Sequence, residues 1–334
     1  MKAKKTLYVV SIAFVIFVLL VPLVSYSTLR SSLKNEVFNH LITTRDILYH
    51  QIHDYFHERL GDIDVLARNP IVAQSFSQMV FTSKISGLEG SEHVAIVKLY
   101  QPLMEHYIDV YGYANVFFTD KEGNVFYSVK AEEFTGTNLL NGKYKDFSIS
   151  HVFRRGLEQA NFEDYSWSEK AEEFTSFFAA PIYYKDELLG AMIIEIPFSI
   201  MDSMLTQRAG LGKTGEMYLV GDDGLMRSNL RFIEEPAILK KYIDTEATRL
   251  AFNNYTGIKI IKDYRGVSVL SAYRSLNLKF VDWVLLVEID EEEALAPIRT
   301  VETRLIIIGT IIMGIAVGYI YFSMRKTKNK EFAK

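Results

Sequence analysis

Two uninterrupted apolar runs bracket the chain. Residues 7–27, "LYVVSIAFVIFVLLVPLVSYS", and 305–323, "LIIIGTIIMGIAVGYIYFS", carry no Asp, Glu, Lys or Arg. Nineteen helical residues rise about 28 Å, close to the hydrocarbon thickness of a bilayer, so each run predicts a membrane-spanning helix. The first is longer than the apolar core of a signal peptide, and no A-x-A site follows it. An anchor is therefore favoured over a cleaved leader, although Ser25 and Ser27 have the size a cleavage site needs.

Between the runs the pattern changes period twice. Over residues 30–69 the apolar positions Val37, Leu41, Leu48, Ile52, Phe56, Ile63 and Leu66 recur at about 100° per residue, which predicts one long helix. Asn69-Pro70 closes it, because the residue before proline is pushed out of the helical region. Roughly forty residues rise about 60 Å, the dimension of a stalk or spine. A second helical region covers about 92–111. From residue 114 the period becomes two. "ANVFFTDKEGNVFYSV" predicts a hairpin around the turn 120–123, and a helical or irregular insert follows from Glu133 to about Glu163. "FTSFFAAPIYY" and "LLGAMIIEIPF" predict a second hairpin around Lys185-Asp186.

The order then repeats. "GEMYLV", the turn 222–224 and "LMRSN" predict a hairpin, and residues 234–252 a helical insert. "GIKIIKDY", the turn Arg265-Gly266, "VSVLSAYRSL" and the strand "DWVLLVEID" follow, before "EEEALAPIRTVETR" leads as a helix into the second apolar run. Hairpin, insert, hairpin thus occurs at about 114–197 and again at 215–290. The expected fold is an α+β antiparallel sheet module, present twice, with helices on one face.

The loop between the copies, "GLGKTG", looks like a phosphate-binding loop. A G-x-x-x-x-G-K-[ST] loop whose lysine is Lys213 needs glycine at 207, where Gln207 stands, and it needs a strand before it and a helix after. The order here is the reverse, which makes the glycines a turn between a helix and a strand.

Charge adds an orientation. Lys2, Lys4 and Lys5 precede the first run, and Arg325, Lys326, Lys328, Lys330 and Lys334 follow the second, so the positive-inside rule places both tails in the cytoplasm. Setting these eight basic residues and Glu331 aside from the 37 and 41 leaves 29 basic and 40 acidic residues outside, a net charge of −11. That acidity argues against nucleic-acid partners. With no cysteine, disulfides, thiolate metal sites and a thiol nucleophile are excluded. His50, His53 and His57 share one helix face, roughly opposite the apolar stripe. A metal or pH-sensing patch at a dimer contact is one reading, and a solvated helix face is the favoured one.

Several ordered strings, "FFTDKEGNVFYSV", "GTNLLNGKY", "FFAAPI", "GLGKTGEMYLVGDDGLMRSNLRF", "DYRGVSVLSAY" and "WVLLVEIDEEEALAPI", closely resemble the periplasmic sensor region of methyl-accepting chemotaxis proteins with a double Cache domain. Similar regions occur in membrane histidine kinases and cyclases. The resemblance covers about residues 30–300. It implies two tandem PAS-like modules on the long N-terminal helix, one distal and one proximal to the membrane, in a homodimer whose distal module holds a small organic molecule. The expected division is a cytoplasmic tail and first span (1–29), spine and second helical region (30–111), membrane-distal module (112–207), membrane-proximal module (208–300), second span (301–324) and basic cytoplasmic tail (325–334). Two departures stand out. The R-x-W-Y pattern of amino-acid-binding members is missing, and the chain stops at Lys334 without the HAMP linker and output domain usual in the family. A cytoplasmic or membrane signalling partner is therefore expected.

A pocket needs apolar walls and a few convergent polar groups. In the first module the candidates are Tyr127 and Lys130 at a hairpin end, Tyr165 and Trp167 in the loop before the next strand, and Phe178 and Ala180 as a floor. In the second they are Arg227, Ser228, Tyr255 and Tyr264, with Arg265 better explained by its turn. No nucleophile elbow, zinc motif or paired-carboxylate signature is present, so no catalysis, cofactor or metal is expected. The leading expectation is a membrane-anchored extracytoplasmic sensor in the cell membrane. The alternative is a non-signalling binding or interaction protein acting through a partner receptor.

Overall fold

The computed structural model describes residues 2–130, 134–168, 172–206 and 210–332, most side chains at the outer ends of the first and last helices excepted. Helix α1 (Lys2–Ala67) runs without a break through the first apolar segment and the spine, about 100 Å in all. The stripe read from the sequence is its packed face: Leu41, Leu48, Ile52, Phe56, Ile63 and Leu66 are buried and Val37 is half-buried. The helix ends where Asn69-Pro70 requires, and the same dipeptide starts α2 (Pro70–Ser86), which the sequence reading left unassigned. Proline sits in its first turn, and Asn69 caps it through Oδ1, which accepts the Ile71 N–H at 2.9 Å. Helix α3 (Ser91–Tyr111) follows and stops at Gly112, whose φ of 71° lets the chain turn into the first sheet.

That sheet has five antiparallel strands, β1 (Asn115–Asp120), β2 (Val125–Ser128), β3 (Asn161–Ser168), β4 (Glu173–Tyr184) and β5 (Glu187–Pro197), in the order β2-β1-β5-β4-β3. Helix α4 (Ser148–Gly156) lies in the insert and packs against β3, β4 and β5, whereas α1 packs against β4 and β5 from the other side. Helices therefore cover both faces, where the sequence reading expected one. The segment "NFEDYSWS", read as insert and loop, is the edge strand β3. Its alternation is broken by a bulge between Glu163 and Ser166, which hides the period of two.

Helix α5 (Ser199–Leu205) leads through the glycine loop into the second sheet, confirming the loop as a helix-to-strand joint. Strands β6 (Glu216–Gly221), β7 (Gly257–Lys262), β8 (Ser268–Ser275) and β9 (Trp283–Asp290) are antiparallel in the order β6-β9-β8-β7. Helix α6 (Glu246–Phe252) covers one face and α1 the other, so the expected helical insert at 234–252 is helical only in its last seven residues. The expected strand "LMRSN" is reduced to single bridges from Leu225 and Met226. Ser228 Oγ accepts the Leu219 N–H at 3.1 Å, so a side chain takes a backbone donor that a continuous ladder needs. Helix α7 (Glu291–Ala294) and helix α8 (Ala296–Phe332) complete the chain. Ala296–Tyr319 of α8 is long and apolar enough to cross a membrane, and none of its most apolar window is buried.

Candidate functional site

Alternation along the first sheet sorts its side chains onto two faces. Val116, Phe118, Tyr127, Phe162, Phe178, Ala180 and Ile194 join the core built on α1. Phe117, Val125, Phe177, Ala179, Ala191 and Ile193 face away from it and form a separate core with Leu139, Tyr144 and the α4 residues Ile149, Val152 and Phe153. This outer face is closed by a short helix and a loop rather than by the spine. It also carries buried polar groups: Asn115 and Glu195, paired across β1 and β5, and Thr175 on β4. Thr175 Oγ1 has no hydrogen-bond partner among the described residues. Asn115 binds the Lys130 backbone at both ends of its amide, Nδ2 donating to the carbonyl at 3.2 Å and Oδ1 accepting the N–H at 3.0 Å. The unpaired Thr175 hydroxyl among aromatic walls is therefore the group that suits a small polar–apolar molecule.

The six residues named from the sequence fall elsewhere. Tyr127 donates its hydroxyl to Gln101 Oε1 at 2.8 Å, and burial raises its pKa. Phe178 packs against Phe162 and against Phe56 of the spine, at ring separations of 4.8 and 6.0 Å, and Ala180 is buried beside them. Tyr165 stacks on Trp283 of the second sheet, 5.6 Å away and 14° from parallel. Trp167 is exposed at the sheet edge over Phe174. Lys130 projects outward, its N–H donated to Asn115 Oδ1 and its carbonyl accepting from Ser128 Oγ. Four of the six thus belong to the spine-side core, and the set does not converge on one site.

In the second sheet, Arg227 is buried in an interlock between the sheets. Its Nε donates to Asp164 Oδ2 at 2.8 Å, and Nη1 and Nη2 grip both oxygens of Asp223 at 2.9 Å. Trp283 Nε1 donates to the same Asp164 oxygen at 3.1 Å. Burial raises the Asp164 pKa, and Arg227 opposes that shift. Ser228 spends its hydroxyl on the Leu219 amide, and Tyr255 is exposed. Tyr264 donates to Glu216 Oε2 at 2.9 Å. Arg265 closes the expected turn, bound to Asp263 and Asp290, with Gly266 at a φ of 77°.

The glycine loop does hold an anion, one belonging to the chain itself. The Lys213 and Thr214 N–H groups donate to the Glu293 carboxylate at 2.8 and 2.7 Å. Backbone and hydroxyl hydrogen bonds lower the Glu293 pKa, outweighing desolvation. Gly212 is left-handed, with a φ of 68°, and a Cβ there would come within 2.6 Å of Glu293 Oε1. The spine touches this loop as well, through His40 Nε2 and the Gly210 carbonyl at 3.0 Å. Of the histidine stripe, His50 and His57 are exposed, but His53 is half-buried against Tyr49 and hydrogen-bonds the Leu276 carbonyl. The solvated-face reading therefore fails at that position.

A long helix carrying antiparallel sheets, one with a covered polar–aromatic outer face, is the architecture of a ligand-binding sensor region. The chain belongs to the Cache domain family, whose model matches residues 25–298. No curated protein matches it. Among solved structures it is similar to the ligand-binding domain of the Campylobacter jejuni chemoreceptor Tlp3 in complex with 4-methylisoleucine (13% identity, 79% of this chain and 94% of that one, TM-score 0.57). It is also similar to that of Pseudomonas fluorescens CtaA with L-isoleucine (13%, 80% and 98%, 0.53) and that of the Pseudomonas aeruginosa amino acid chemoreceptor PctC with GABA (13%, 75% and 99%, 0.52). At such identities these likenesses establish the fold.

Proposed function

We propose that the protein is a membrane-anchored extracytoplasmic sensor of a small organic molecule. In this reading it is a chemoreceptor-type signalling protein, crossing the cell membrane twice and working as a homodimer, and it is not an enzyme. The two sheets are tandem sensor modules, of which the first holds the ligand. The observation that carries the reading is the outer face of the first sheet in a Cache family chain. There Phe117, Phe177 and Tyr144 wall a face into which Asn115, Thr175 and Glu195 bring polar groups. Amino acids and GABA, held by the similar domains, are the first compounds to try. Binding transmits only if it favours one of two states, by about 5.5 kcal/mol for a near-complete switch.

The test is a thermal-shift screen of the full chain in detergent against amino acids, amines, organic acids and purines. A ligand at 100 times its Kd adds about 2.7 kcal/mol. The shift is expected to vanish in Thr175→Val, which keeps the side-chain shape and removes the hydroxyl, and to survive in Trp167→Ala. A hit that ignores Thr175 but is lost with Trp167 removes the outer face from consideration. Turnover of a bound compound would overturn the non-enzymatic reading.

A further inference from the structure

Glu216 and Glu288 stand directly opposite each other on the neighbouring strands β6 and β9. Both lie on the face of the second sheet covered by α6, in alternation with Tyr218, Val220, Val284 and Leu286. Both are buried, at 4% and 3% exposure. Like charges directly across a strand pair repel, and burial strengthens the repulsion. The two carboxyls are not equally supported. Glu216 accepts the Arg231 N–H and the Tyr264 hydroxyl, with Arg265 close by. Glu288 receives the Tyr218 hydroxyl on Oε2 at 2.9 Å, while its Oε1 makes no well-formed hydrogen bond among the described residues. Ser271, the residue paired with Glu288 on β8, is fully buried, and its hydroxyl is likewise without a well-formed partner.

The remaining surroundings are predominantly acidic. Asp263, buried after β7, and Asp290 flank the face, and Arg265 bridges them. From α6 the charged residues are Glu246 and Arg249, which are exposed and paired with Lys259 and Asp244. From α7, Glu291 accepts the Ser268 hydroxyl. No cation among the described residues contacts Glu288. Burial, with Asp263 and Glu216 adding to it, lifts the Glu288 carboxyl to about 7, against the pull of Ser271 and Tyr218.

We propose that the Glu216–Glu288 pair is a proton-binding site, and that the second sheet is therefore a pH sensor in its own right, separate from the organic-ligand site on the first. A proton on Glu288 removes the charge conflict between the two facing carboxyls. The consequence reaches the end of the sheet, because Glu216 directly follows Gly215. Arg231, whose backbone N–H holds Glu216, donates through its guanidinium Nη1 to the Gly215 carbonyl at 2.7 Å. That loop grips Glu293 of α7, the short helix just ahead of α8.

The experiment is an infrared titration of the full chain in lipid nanodiscs from about pH 5 to about pH 9, with melting followed in parallel. A protonated-carboxyl band is expected to disappear with a midpoint near the Glu288 value and to be missing in Glu288→Gln. The folded-state pKa is raised, so the native state binds the extra proton. Stability is therefore fullest below the ordinary carboxylate range and is lost as pH rises through the midpoint, whereas the Gln variant keeps a level Tm. A wild-type band already lost at the low end of the titration, or one retained in Glu288→Gln, overturns the proposal. Should that variant fail to fold, Tyr218→Phe removes a hydrogen bond to the charged form and must raise the midpoint. An unmoved midpoint overturns the proposal equally.

Discussion

At the scale of single residues, the sequence shows chemistry without its partner. Arg227 stands at a strand end, where a ligand-facing guanidinium is a reasonable reading, and nothing in the sequence pairs it with Asp164, 63 residues earlier. Removing it leaves Asp164 buried without its counter-ion. Arg227→Ala is expected to cost about 3 kcal/mol in urea unfolding, and Asp164→Asn less, because the amide keeps an acceptor for Trp283. A loss of under about 0.5 kcal/mol for Arg227→Ala would show the interlock to be dispensable. Tyr127, Phe178 and Ala180 illustrate a different limit. Alternation places each on one of two faces, but both faces of this sheet are covered, so a buried aromatic pattern does not tell the spine side from the outer side. Of the residues that do line the outer face, Phe177 is one position from Phe178 on β4, Thr175 lies three positions from it on the same strand, and Phe117 is on β1, where the sequence offered no candidate. The signal that separates the sets is contact with α1, which is a property of tertiary structure.

At the scale of elements, periodicity carried most of the information where it was long. The spine stripe, both hairpins of the first sheet and the last three strands follow directly from period. What escaped was α2, which begins on the proline that closes α1, and two interrupted stretches: β3 across its bulge, and the stretch after Gly224 where Ser228 satisfies a strand donor. Proline was read as a stop and is also a start, and Asn69 makes the difference. Asn69→Ala is expected to lower stability by about 1 kcal/mol, with Asn69→Gly costing only a few tenths. Equal losses in thermal melts of the two variants would indicate that Asn69 matters for something other than its cap.

At the scale of the whole molecule, one aromatic cluster joins the parts. Phe56 of the spine packs edge-on against Phe162 of the first sheet and Trp283 of the second, at 4.8 and 5.6 Å, and Tyr165 stacks on the indole. Phe56→Ala opens a cavity where three bodies meet, and a loss of about 3 to 5 kcal/mol is expected. Unfolding should then cease to be a single transition, seen as separate shifts by tryptophan fluorescence in a Trp167→Phe background and by circular dichroism. A single unshifted transition would mean that the helix and the two sheets hold together without this contact. The doubling of the sheet was visible in the order of strands. This junction was not, because its members come from positions 56, 162, 165 and 283.

The Glu293 side chain occupies the place an external anion would take in a loop of this kind. Shortening it should therefore create an acquired ion dependence. Glu293→Ala leaves the Lys213 and Thr214 amides aimed at solvent, and small oxyanions such as phosphate or acetate become able to fill the gap. The variant's lost Tm is expected to return in part as phosphate is added, with chloride at matched ionic strength giving no such recovery. A fragment cut ahead of residue 293 should behave the same way, so phosphate bound in such a fragment would be substituting for the protein's own carboxylate rather than marking a nucleotide enzyme.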